Sequence, residues 1–123
     1  MEGTDIKQSL NNVLKMVKIM TMINVKNIIN DSFSSISGRK LGQRIGKEVS
    51  KEKKSVIVNF DSMTPFTSLF FNAMLEELIS YGNIKTIDSQ MSIKNLGELD
   101  LKTYYRCLQS AMQQQVKLNA DKL

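Results

Sequence analysis

The chain has 123 residues, of which 41% are hydrophobic and 24% are charged, and its formal net charge is +5. This length and composition are typical of one globular domain that buries its own core. The single cysteine, Cys107, and the lack of any histidine exclude an internal disulfide, a Cys/His zinc site and a Cys–His catalytic pair. We therefore expect no metal and no cofactor, and a lone reduced thiol is typical of a cytoplasmic protein.

Residues 5–20 carry apolar side chains at alternating spacings of four and three residues. The apolar positions are Ile6, Leu10, Val13, Val17 and Met20. This spacing predicts an amphipathic helix that packs on another surface. Docking on the domain itself, a dimer seam and contact with a partner all stay open as its role. No apolar run has the ~20 residues that span a bilayer, and the N-terminus lacks a signal-peptide pattern.

The next segments predict a strand, a loop and a basic helix. Met22–Ile29 is predicted as the first strand, and residues 30–37 as a serine-rich loop in which Phe33 and Ile36 turn inward. Ser37 or a nearby serine is expected to cap the helix that runs from about residue 38 to residue 53.

That helix carries positive charge on one side and small or apolar residues on the other. Seven Lys or Arg lie between Gly38 and Lys54 against two Glu, an excess equal to the net charge of the whole chain. The basic patch that we single out consists of Arg39, Lys40, Arg44, Lys47 and Lys51. Such a face could bind nucleic-acid phosphates, which makes residues 38–54 an alternative functional site.

The buried side of the same helix is predicted from its spacing. Leu41, Ile45 and Val49 form a narrow apolar stripe. Gly42 and Gly46 lie four residues apart and allow another backbone to approach closely, either from the sheet or from a second helix.

The block from Ser55 to Gly82 is the most informative part of the chain. Val56–Phe60 is β-branched and continuous, as a buried parallel strand is, and Thr67–Tyr81 is an amphipathic helix that Gly82 ends. The turn between them is where α/β folds bind ligands or accept modification. Its polar residues are Asp61, Ser62, Thr64, Thr67 and Ser68. Hydroxyls and one carboxylate favour a binding or regulatory surface over catalysis.

The remaining residues complete an alternating pattern. We predict a strand at Ile84–Ile87, with Met91–Ile93 as its continuation, then a turn and a helix from Glu98 to Leu118. The alternation indicates an α/β fold: a small mixed, mostly parallel sheet with helices packed on it and an extra N-terminal helix. No phosphate-binding glycine loop, no nucleophile elbow and no convincing acid/base pair is present, so we do not expect an enzyme.

Several stretches together resemble a known family. The block from Ser55 to Gly82 has an apolar strand ending in Phe, a DSM turn and the helix LFFNAMLEELISYG. MINVKNII precedes it, followed by GRKLGQRIGKEV, and IDSQMSIKNLGELDLKTYYRCLQSA comes after it. These segments resemble the opening strand, first helix, central block and closing strand–turn–helix of a STAS-like family of unknown function. The resemblance covers residues 22–112 and implies a STAS-like scaffold.

The same arrangement is more distantly similar to STAS domains of bacterial anti-sigma factor antagonists. Those domains bind a kinase-type anti-sigma factor and are switched by phosphorylation of a serine at the start of the helix after the central strand. Ser68 falls at that phosphoacceptor position in this chain. Thr67 and Phe70 stand where those domains have Asp and Gly, and Asn59 replaces the Asp of a strand-terminal Asp-Phe pair. These departures favour a binding role over a phosphorylation switch.

The resemblance implies a cytoplasmic, non-enzymatic regulatory module. It would bind a protein partner, such as a kinase-like ATPase or a subunit of a larger assembly, through the turn and helix after the central strand. We assign residues 1–21 to a helical extension, residues 22–118 to the STAS-like domain and residues 119–123 to a frayed tail. Homo-oligomerisation through residues 5–20 and nucleic-acid binding through residues 38–54 are the alternatives, and no membrane contact is expected.

Overall fold

Three short strands form a sheet in which all strands run in the same direction. The computed structural model describes residues 21–51, 55–61 and 63–121. The strands, in both chain and spatial order, are β1 (Thr21–Asn24), β2 (Val56–Asn59) and β3 (Met91–Lys94). The α/β class predicted from the sequence is confirmed, and every strand pair among the described residues is parallel.

Four α-helices complete the described part of the chain. They are α1 (Ser35–Ser50), α2 (Ser68–Ile79), α3 (Ile84–Gln90) and α4 (Glu98–Asp121). None of the helices within the described ranges is long and apolar enough to cross a membrane. The helix predicted over residues 5–20 lies outside the described residues.

Two of the predicted strands are wrong in position. The first strand ends at Asn24 because the chain turns there into a 3-10 helix, in which the N–H groups of Ile28 and Ile29 both donate to the carbonyl of Val25. The strand predicted at Ile84–Ile87 is the first turn of α3 instead. Two buried isoleucines three residues apart lie on one face of a helix, and Asn83 caps this helix by accepting from the N–H of Thr86 at 3.1 Å.

The core lies between one face of the sheet and the helices. Val56 and Val58 of β2 are fully buried, and the predicted stripe of α1 packs beside them. The centre of the core is aromatic, with ring centroids 4.9 to 6.3 Å apart. Its members are Phe60, Phe66, Phe70, Phe71 and Tyr104. Aromatic contacts of this geometry add to the stability gained by burial alone.

A stripe of three glycines lets α1 lie directly against α2. A Cβ on Gly38 would overlap the carbonyl oxygen of Phe70, and one on Gly42 would lie 2.6 Å from the carbonyl oxygen of Met74. A Cβ on Gly46 would meet the ring of Tyr81. The close approach of a backbone is therefore confirmed for Gly42, and that backbone belongs to α2 and not to the sheet, whereas Gly46 faces a side-chain ring.

Helix α4 holds α3 in place through polar side chains. Gln115 accepts from the N–H of Ile84 at 2.8 Å and donates to the carbonyl of Gly82 at 3.0 Å. The hydroxyl of Tyr104 donates to Asp88 at 2.6 Å. Burial and the Asp88 carboxylate together raise the pKa of Tyr104, so the phenol stays a neutral donor.

Candidate interaction site

The carboxyl ends of the strands and the amino ends of the helices that follow them meet at one edge of the fold. This arrangement is a consequence of parallel strands, since each strand must be followed by a segment that starts at the same edge. The loop between β2 and α2, which contains the predicted partner-binding residues Asp61, Thr64 and Thr67, lies here. We call this edge, together with the first turns of α1 and α2, the docking edge.

Two loops of the docking edge are hydrogen-bonded to each other. Thr67 caps α2 by accepting from the N–H of Phe70 at 3.1 Å, and its hydroxyl donates to the carbonyl of Phe33 at 2.8 Å. The N–H of Thr67 donates to the carbonyl of Ser32 at 3.3 Å, and the Ser32 hydroxyl donates to the carbonyl of Pro65 at 2.6 Å. The amino ends of α1 and α2 therefore form one continuous surface.

Asp31 organises the loop before α1. Its carboxylate accepts from the N–H groups of Ser34 at 2.7 Å and Phe33 at 3.1 Å, and from the hydroxyls of Ser34 and Ser37 at 3.0 Å. Ser34, not Ser37, is the residue that caps α1. The backbone hydrogen bond from Ser34 is the largest of the influences that lower the pKa of Asp31.

This lowered pKa predicts a pH-dependent contribution of Asp31 to stability. A carboxyl whose pKa is lower in the folded state stabilises the fold above its ordinary pKa of about 3.9, and the effect is lost as the pH falls through the folded-state pKa. We expect Asp31→Ala to lower the free energy of unfolding at pH 6 and to matter progressively less towards pH 3. Urea titrations at both pH values, with Asp121→Ala as the control, measure this; a difference that does not change with pH would contradict the assignment.

Asp100, at the start of α4, holds the loop between β2 and α2 through hydrogen bonds. It is buried, with 6% of its surface exposed, and it accepts from the Thr64 hydroxyl at 2.8 Å and from the buried N–H of Phe66 at 3.1 Å. The Thr64–Pro65 peptide bond between these two donors is cis. One carboxylate thus holds both sides of this peptide bond in place.

An asparagine ladder joins the carboxyl ends of the three strands. Asn59 donates to Asn24 at 3.1 Å and accepts from Asn95 at 2.7 Å. It also exchanges hydrogen bonds with Asp61, whose N–H donates to it at 3.0 Å. Asp61 and Asn95 both adopt left-handed backbone angles, which Asp and Asn tolerate better than most residues.

The structure places the predicted partner-binding residues in different environments. Asp61 turns towards the asparagine ladder and lies 3.7 Å from the ammonium of Lys26, so it is held within the fold. Thr64 and Thr67 are engaged by Asp100 and Phe33. Ser68 is exposed at the first position of α2. Ser62 lies outside the described residues.

Three exposed apolar side chains border the two loops. Phe33 is 61% exposed, Ile36 is 77% exposed, and Leu69 at the start of α2 is 59% exposed. The prediction that Phe33 and Ile36 turn inward is wrong. Ile36 lies five residues before Leu41, about 140° around the helix from the buried stripe, so it points to solvent. We call these three residues the apolar rim.

The basic residues of α1 do not form one uniform patch. Arg39 pairs with Glu76 at 3.6 Å and with Glu77 at 4.0 Å on α2. Arg44 and Lys51 each lie 3.6 Å from Glu48. Lys40 and Lys47 have no carboxylate partner among the described residues and line a shallow depression with Arg44. The acidic neighbours reduce the positive potential that nucleic-acid binding requires.

Cys107 occupies a structural position. It is buried, and its sulfur lies 3.9 Å from the carbonyl of Ser68. Burial raises the pKa of the thiol, which favours its protonated form. Within the described ranges, no three His, Cys, Asp or Glu side chains come together in a way that could hold a metal ion.

The fold and the docking edge define an α/β domain in which a parallel sheet positions two helix starts as one surface. The model of a family described as a STAS-like domain of unknown function matches residues 37–101, more than half of the chain. The chain therefore belongs to this STAS-like family, as its sequence resemblance indicated. No curated protein and no solved structure gives a significant match.

The asparagine ladder and Asp100, whose hydrogen bonds help to hold the docking edge together, were not predicted from the sequence. The asparagine ladder had a signal, since Asn24 and Asn59 occupy the last position of successive strands. Asp100 lies in the first turn of α4, where a carboxylate suits the helix dipole, and this position does not reveal its contacts 34 and 36 residues earlier in the chain.

Proposed function

We propose that this STAS-like domain is a non-enzymatic regulatory module that binds a protein partner through the docking edge. The observation that carries the proposal is the apolar rim. Large apolar side chains that stand exposed beside polar groups are typical of protein interaction sites. Phe33, Ile36 and Leu69 each leave more than half of their surface in solvent.

The rigidity of the docking edge supports the same role. Its loops are tied together by Thr67 and fixed to α4 by Asp100, so the rim is presented in one arrangement before a partner arrives. A preformed surface loses little conformational entropy on binding, which favours affinity. We expect a partner that offers an apolar surface to the rim and hydrogen-bonding groups to the exposed loop positions around it.

Ser68 is the residue at which regulation would act under this proposal. It is exposed at the first position of α2, immediately before Leu69 of the rim. A phosphate there would be stabilised by the helix dipole and would add a charge of about −2 beside an apolar contact. We expect Ser68→Glu to weaken partner binding without unfolding the domain.

Charge insertion in the rim provides the direct test. We expect Leu69→Asp to abolish capture of the partner from the native host, because a carboxylate would have to be desolvated against an apolar surface. Position 69 lies in the first turn of α2, where an aspartate suits the helix dipole, so folding should be retained. Affinity capture with quantitative mass spectrometry compares the wild type with the variant.

The matched control is Val116→Asp. Val116 is 69% exposed on α4, outside the docking edge, so the same kind of substitution is made at a similarly exposed apolar residue. The partner should be retained by Val116→Asp and lost with Leu69→Asp. Identical capture profiles for the wild type and both variants would overturn the proposed function.

A further inference from the structure

One face of the sheet is left uncovered by the described helices. The strand register places Met22, Ile57 and Ser92 side by side on this face, while Ile23, Val58 and Ile93 point to the opposite one. Ile23 and Val58 belong to the core, and Ile93 packs against it. Met22 and Ile57 neither belong to the core nor pack against it, and Met22 is 55% exposed. We call the surface around Met22 and Ile57 the open face.

The topology explains why the helices lie on one side only. The connections from β1 to β2 and from β2 to β3 step across the sheet in the same direction. Right-handed crossovers that step in one direction place their helices on the same face. Parallel sheets, however, are generally covered on both faces. The open face therefore lacks a covering element among the described residues.

We propose that residues 1–20 of the same chain cover the open face. This segment joins β1 directly at Thr21, beside Met22. Its apolar positions include Ile6, Leu10 and Val13, whose spacing predicts one apolar stripe on a helix. A helix that ends three or four residues before Thr21 leaves a connection of the usual length for αβ units.

The dimensions fit a single helix and not a second copy of the chain. Three strands of four residues span about 14 Å by 13 Å, which one helix of three to four turns covers. A stable dimer buries about 800 Å² on each partner, several times the area of this face. The chain's own segment also acts at the high effective concentration that covalent linkage provides.

A thiol reporter on the open face tests the proposal in the full chain. In a Cys107→Ala background, Ile57→Cys is labelled under native conditions with or without Leu10→Glu and Val13→Glu. We expect the two charges to speed up labelling at least tenfold. The control pair Gln8→Glu and Asn11→Glu adds the same charge on the opposite side of the predicted helix and should leave the rate unchanged. Met22→Cys is the second reporter, in case Ile57→Cys does not fold.

The results separate the alternatives. The proposal is supported if the reporter is labelled slowly in the parent chain and faster once Leu10→Glu and Val13→Glu are introduced. Light scattering should show a monomer in the parent chain. Fast labelling of the parent chain overturns it, as does slow labelling that the two charges do not change. Protection accompanied by the mass of a dimer also overturns it and assigns the open face to a second copy.

Discussion

Gly38→Ala is expected to lower the free energy of unfolding by a net amount of about 1–2 kcal/mol, because overpacking a tight contact costs up to about 3 kcal/mol. The added Cβ would overlap the carbonyl oxygen of Phe70, a backbone atom that cannot move aside without shifting α2. The loss outweighs the gain of about 1 kcal/mol that alanine brings to a helix interior relative to glycine. Chemical denaturation of the purified chain measures the difference.

The remaining glycines provide a graded series. Gly42→Ala should be similarly harmful, since its Cβ would lie 2.6 Å from a backbone oxygen of α2. Gly46→Ala meets the ring of Tyr81, a side chain that can turn away, so its effect should be smaller. Gly97→Ala is the control, because nothing lies within 4 Å of its Cβ. If Gly38→Ala were as stable as Gly97→Ala, the close packing of α1 on α2 would be contradicted.

The glycine series also links stability to the proposed function. The amino ends of α1 and α2 carry the apolar rim, and Gly38 lies only two residues after Ile36. A displacement of α2 at this position would shift Leu69 relative to Phe33 and Ile36. We therefore expect Gly38→Ala to weaken partner capture even where the protein remains folded, whereas Gly46→Ala, two turns further along α1, should not.

The parts of the fold that were predictable are those with local signals. The β-branched run at Val56 predicts a strand, and the spacing of Leu41 and Ile45 predicts the buried side of a helix. Both patterns need only a few residues, and both were placed correctly. Residues 55–82, which carry the resemblance to the STAS-like family, likewise have a pattern that is visible within a short stretch of sequence. The strand predicted at Ile84–Ile87 is wrong because a spacing of three residues places both isoleucines on one face of a helix but on opposite faces of a strand, and Asn83 caps that helix.

The parts of the site that were not predictable depend on contacts between distant residues. Asn59 becomes the centre of a ladder only once the register of three strands is known. Phe33 and Ile36 were expected to be buried because they are large and apolar, but Ile36 lies on the solvent side of α1 and Phe33 lies in the exposed loop before it. The docking edge is therefore a product of the topology, which brings loops that are more than 30 residues apart into hydrogen-bonding distance.

Asp100→Ala is expected to lower the free energy of unfolding by about 3 kcal/mol, because it removes two hydrogen bonds to a buried carboxylate. The Thr64 hydroxyl is exposed and can turn to water, whereas the N–H of Phe66 is buried and would be left without an acceptor. Asp100→Asn keeps one acceptor oxygen and should cost about half as much. Hydrogen exchange at the Phe66 amide should accelerate together with the loss of stability.

Glu98→Ala provides a matched control for Asp100→Ala. It removes a carboxylate from the same first turn of α4, so the change in the helix-dipole interaction is the same. The Glu98 side chain is 85% exposed and forms an exposed ion pair with Lys102 at 3.7 Å, so its loss should change the stability by less than about 0.5 kcal/mol. Equal effects of the two substitutions would mean that Asp100 acts only through its charge. A larger effect of Asp100→Ala, accompanied by weaker partner capture, would show that this carboxylate holds the loop from which the docking edge is built.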